Sequence, residues 1–152
     1  MTFDELKALD VAGLDRAYAD LPCGPMPTGV YRGVHLASLD VPGARRPLWR
    51  LVERVGFDLL PYGIDFDVRT WFFVHPRLRV GRFVASPARS RWRPADVISL
   101  HYRASRLPFP VRDVLYDEVK PLSATLCLGL GGVDAGPGEG DRFFFALVPW
   151  SP

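Results

Sequence analysis

A chain of 152 residues, 48% of them hydrophobic, is the length of one domain and can bury a core without help from disulfides or a structural metal. Lys+Arg 19 against Asp+Glu 17 leaves a formal net charge of +2, too balanced to recruit nucleic acid or an anionic membrane surface. Cys23 and Cys127 have no CxxC partner and no neighbouring histidine, so the sequence predicts two free thiols, no metal and no cofactor.

The first element is a short helix. Thr2 and Glu5 have capping-box spacing, and Phe3, Leu6 and Leu9 form one apolar stripe. A second helix is expected between Asp10 and Leu21, with Leu14, Ala17, Tyr18 and Leu21 at helical spacing and Pro22 ending it. MTFDELKALD lacks both the basic and the apolar region of a secretory signal, and no run reaches 18 apolar residues, so a cytoplasmic protein without membrane insertion is expected. The Pro/Gly stretch CGPMPT joins this arm to the rest, giving residues 1–28 as helical arm and linker and 29–152 as the main body.

Gly 14 and Pro 15 leave little room for long helices in that body. GVYRGVHLASL reads as a strand, and Leu48, Leu51, Val52 and Val55 have the spacing of a single inserted helix. YGIDFDVRTWFFVH alternates, placing Ile64, Phe66, Val68, Thr70 and Phe72 on one face of one strand and Asp65, Asp67, Arg69 and Trp71 on the other. Strands are also expected at Leu78 to Ala85, at Val97 to Ala104, and in RDVLYDEV, ATLCLGLGG and RFFFALVPW. In RDVLYDEV the alternation turns Val114, Tyr116 and Glu118 away from Leu115, Asp117 and Val119. The flexible DAGPGEGD makes the last hairpin loop. Seven to nine strands with short connections predict a mainly β fold: an antiparallel sheet closed into a barrel, which removes edges that so many apolar strands would expose.

Within the first strand, Gly29-Val30-Tyr31-Arg32-Gly33 resembles the G-x-W-x-G opening of lipocalin-like, calycin-type barrels, and in particular small bacterial proteins of the GXWXG type, with Tyr in place of Trp. YDEV at 116–119, LCLG at 126–129 and FAL at 145–147 resemble the C-terminal half of that family. The resemblance implies a barrel plugged at one end by the Tyr31 ring, with an arginine of the last strand, here Arg142, laid across it.

No nucleophile elbow accompanies the three histidines, which fall on three separate strands, and the Gly-rich loop lacks the Lys-Ser/Thr of a phosphate cradle. Candidates for acid–base work are His101, on a face with Val97 and Ser99, together with Asp113 and Asp117, expected on one strand face at i, i+4. Aromatics on separate strands are expected to line the interior. The expected function is non-catalytic binding of a small hydrophobic molecule, a fatty acid or polyketide-like metabolite. Arg82 and His101 would meet its polar head, and Tyr31, Trp71, Phe83, Tyr102 and Tyr116 would contact its body. Two alternatives are an isomerase, cyclase or dehydratase using a buried His or Asp, and an interaction module with a filled core. A homodimer stays open.

Overall fold

The computed structural model describes residues 1–39, 61–105, 111–133 and 141–151. The expected helix over Leu48 to Val55 and most of the DAGPGEGD loop lie outside them. Helix α1 (Phe3–Lys7) carries the capping box: Thr2 Oγ1 accepts the Glu5 N–H at 3.2 Å, and the Glu5 carboxylate accepts the Thr2 N–H at 2.7 Å. Helix α2 (Val11–Asp20) starts on Asp10, whose side chain accepts the Gly13 N–H at 2.7 Å.

Among the described residues nine antiparallel strands follow: β1 (Val30–Leu39), β2 (Tyr62–Asp65), β3 (Thr70–Phe73), β4 (Arg79–Arg82), β5 (Val84–Arg89), β6 (Asp96–His101), β7 (Leu115–Ser123), β8 (Leu126–Val133) and β9 (Asp141–Pro149). Their order is β4-β3-β2-β1-β9-β8-β7-β6-β5. The two edge strands, β4 and β5, are consecutive in the chain and separated by Phe83 alone. One bent strand therefore pairs with β3 through its first half and with β6 through its second, which brings the sheet round into a nearly closed barrel.

The run 62–75, expected as one strand, is instead a hairpin. The Asp65 carboxylate accepts the N–H groups of Asp67 and Val68, at 3.1 and 3.2 Å, and so builds a turn over residues 66–69 that ends with Arg69 at φ 54°. Ile64 and Trp71, expected on opposite faces, are consequently direct cross-strand partners on the same face.

The sheet buries both faces. On the inner face, Tyr31, Ile64, Phe66, Phe83, Ile98, Leu100, Tyr102, Val119, Cys127, Phe143, Phe145 and Leu147 form the lumen cluster. On the outer face, Tyr116, Leu126, Leu128, Leu130, Phe144 and Ala146 pack against Leu6, Leu14, Ala17 and Tyr18 of the arm. The arm thus covers the outside of the wall. Alternation along β7 and β9 sends successive residues to the two clusters, which is why FFFAL is apolar at every position.

A polar lock fixes the arm. Glu118, fully buried, accepts from Tyr18 Oη (2.8 Å), Tyr116 Oη (3.0 Å), Ser90 Oγ (2.5 Å) and the Arg91 N–H (2.7 Å). Buried Lys120 donates to the Tyr18 carbonyl and, at 2.6 Å, to that of Leu21. Those carbonyls have no partner within α2, so the ammonium caps the helix and meets the negative end of its dipole.

Candidate functional site

The inward-facing side chains differ in burial along the lumen. Around Tyr31 they are packed: Tyr31, Phe66 and Phe83 are buried and meet edge to face, with centroids 5.7 and 5.9 Å apart, and the Tyr31 hydroxyl donates to the Ala124 carbonyl at 2.9 Å. Cys127 lies in this cluster, and burial pushes its thiol up to about 12, leaving it an inert apolar residue. Elsewhere in the lumen, the inward-facing His35, Ser38, Tyr62, Trp71, Phe73 and Asp117 all keep accessible surface.

Asp117 is the ionisable centre of that group. Its position on β7 opposite Leu100 and Gly131 turns its side chain into the barrel, and Gly131 is required there: a Cβ would lie 2.4 Å from the Phe143 ring and 2.6 Å from Asp117 Oδ1. Oδ2 accepts a short hydrogen bond from the Tyr102 hydroxyl, and the Gly132 N–H also stabilises the carboxylate. Burial outweighs both and raises the carboxyl from its usual 3.8 to about 6. Among the described residues no cationic side chain offsets this charge. The Tyr102 and Tyr62 hydroxyls are held neutral by burial and by the neighbouring Asp117 charge. Tyr62 lays its ring over Gly33, and His35 packs on Phe143 at 6.2 Å with its Nε2 3.1 Å from Ser38 Oγ. Trp71 covers Gly81 and stands edge-on to Tyr102 at 6.3 Å; its buried Nε1 has no hydrogen-bond partner among the described residues.

The structure therefore brings together Tyr31, Phe83, Tyr102, Trp71 and Asp117 inside the barrel, and places the remaining sequence candidates elsewhere. Arg82 is exposed and pairs with Thr70 on the outer face, because its neighbour Gly81 takes the inward position beneath Trp71. His101 and Tyr116 pack at a tilt on the outer face with centroids 4.9 Å apart, Arg91 lies 3.7 Å over the Tyr116 ring, and desolvation followed by Arg91 and Arg103 lowers the His101 pKa. The expected strand face shared by Asp113 and Asp117 does not exist: Asp113 is exposed in a four-residue helix, α3 (Val111–Val114). Nor does Arg142 cross Tyr31. It pairs with Leu39 at the far end of β1, on the outer face, where Asp15 and Arg93 are its charged neighbours.

Tyr62 and His35 are inward-facing residues that sequence reasoning missed. The signal for Tyr62 was the second glycine of GVYRG, Gly33, since a strand glycine leaves room that a neighbouring ring fills. Among the described residues there is no group of three or more His, Cys, Asp or Glu placed to hold a metal ion, and no helix is long and apolar enough to cross a membrane.

No protein-family profile and no curated protein matches the chain. A solved structure of a protein from Thermomonospora curvata is similar to it, with a TM-score of 0.57 over 97% of this chain and 95% of that one, at 15% identity. At that identity the likeness shows a shared fold alone: a nearly closed antiparallel β-barrel.

Proposed function

We propose that the barrel binds a small, largely apolar molecule in the part of the lumen bounded by Trp71, Tyr62 and Asp117. The observation that carries this reading is the contrast in burial along the lumen. Asp117 lies deep among lumen side chains and yet keeps accessible surface, as do Tyr62, Trp71 and Phe73, which is the behaviour of a cavity wall. The aromatic plug at the Tyr31 end gives such a molecule a floor. Binding needs no chemical step, and the polar contact comes from Asp117 and Tyr102, since Arg82 and His101 face outward. The lipocalin-like resemblance of GVYRG belongs to the same reading, supported by Tyr31 filling one end of the barrel.

One observation favours a second reading, acid–base catalysis on the bound molecule. A carboxyl near pH 6 that accepts from a tyrosine hydroxyl is suited to exchange a proton at neutral pH, as an isomerase or dehydratase requires. Both readings need the lumen to admit a guest. Native mass spectrometry of the protein with 1-octanol is expected to show a one-to-one adduct, accompanied by a change in tryptophan fluorescence that Trp71→Phe removes. An absence of both signals at millimolar octanol contradicts the proposal and favours an interaction module with a filled core.

A further inference from the structure

We propose that the lumen selects a hydrophobic amine: an apolar body carrying a protonated nitrogen set against the Asp117 carboxylate. This inference rests on the lumen reading above and names its ligand class.

A carboxylate in an apolar interior is stable only when paired or neutralised, because an isolated buried charge costs several kcal/mol. Asp117 has a hydroxyl donor in Tyr102 and a backbone N–H, but among the described residues no cation balances it. Among the described residues, the cations near this wall are committed elsewhere: Lys120 to the α2 carbonyls, Arg91 to the Tyr116 ring on the outer face, and Arg82 to solvent. An ammonium group entering the lumen supplies the missing charge. A fatty acid would instead bring a second carboxylate beside Asp117, where low dielectric strengthens like-charge repulsion. On this proposal the polar end of the ligand carries the opposite charge to that of the fatty acid expected from the sequence.

The pH response follows from the groups that face the site. Asp117 on β7 ionises near 6, so an amine meets a carboxylate at pH 7.5 and a largely neutral acid at pH 5. Tyr62 on β2, Tyr102 beyond β6 and Cys127 on β8 stay neutral across that range. His35 on β1 also faces inward, and Glu118 lies behind Asp117 on the outer face of the same strand. Because pairing with an ammonium favours the charged carboxylate, octylamine binding at pH 6 releases a proton from Asp117 to the buffer.

The test is calorimetric titration of the intact chain with octylamine, 1-octanol and octanoate. Octylamine is expected to bind at least tenfold more tightly than octanoate at pH 7.5. It should weaken several-fold at pH 5 while 1-octanol does not, and at pH 6 its heat should depend on the buffer's ionisation enthalpy. Asp117→Asn is expected to abolish the amine preference, the pH dependence and the proton release together. Octanoate binding as tightly as octylamine, or 1-octanol binding without octylamine, overturns the amine inference and leaves the lumen reading intact. A pH dependence that survives in Asp117→Asn also overturns it. If none of the three probes binds, both readings fall.

Discussion

Glu118→Ala is expected to destabilise the protein by about 3–5 kcal/mol in equilibrium urea denaturation. Four donors converge on this carboxylate from three separate segments: Tyr18 from the arm, Ser90 and Arg91 from the turn after β5, and Tyr116 from its own strand. Truncation leaves all four buried or half-buried without an acceptor. Glu118→Gln should cost less, about 2–3 kcal/mol, because one carboxylate oxygen serves Tyr18 and Ser90 while the other serves Tyr116 and Arg91, and an amide keeps only one of those acceptors. In a double-mutant cycle Tyr18→Phe and Glu118→Gln should couple, since the arm's hydroxyl loses its meaning without the carboxylate. A loss under 1 kcal/mol for Glu118→Ala would mean that the arm is held by its apolar stripe and the Lys120 contacts, without help from this carboxylate.

Asp117 is expected to behave in the opposite way. Its folded-state pKa is raised from 3.8 to about 6, so the folded chain binds more protons than the unfolded one between those values, and its contribution to stability falls as pH rises through that window. At pH 8 the ionised, desolvated carboxylate costs about 2–3 kcal/mol relative to pH 4, with solvent at its accessible edge holding the figure to the lower end. Asp117→Asn removes this dependence. The variant should gain on the parent protein from pH 4 through about pH 6 and then level off toward pH 8 in thermal or denaturant unfolding, although it loses amine binding. A residue whose replacement stabilises the fold and removes the ligand is one kept for function at a cost in stability. A stability difference that stays flat across this range contradicts the placement of the carboxylate in the lumen.

These two neighbouring acids show how far the sequence is legible. Alternation along 115–119 separates Asp117 and Val119 from Tyr116 and Glu118, and the structure has them on opposite faces of the wall. Thr2 and Glu5 announce α1 because a capping box is local chemistry, complete within four residues. What alternation cannot say is which face is inside, because both faces of β7, β8 and β9 are buried, one against the arm and one in the lumen. The partners of Glu118 and Lys120 depend on docking between segments about a hundred residues apart, which no local pattern carries. The hairpin at 62–73 was hidden for a different reason: Asp65 and Asp67 keep the period of two through the turn, so the Asp65-built turn looks like unbroken strand. Reading the turn as strand put Trp71 opposite Ile64, and a similar one-residue ambiguity turned Arg82 inward in expectation while Gly81 takes that place in the structure.

The most direct test of the lumen as a binding site is an amide and aromatic chemical-shift map of the isotope-labelled protein titrated with 1-octanol. The account predicts saturating shifts at Asp117, Tyr102, Tyr62 and Trp71, with Tyr18, Tyr116 and His101 on the outer face unmoved. Shifts confined to the outer face, or none anywhere at saturating octanol, would contradict it.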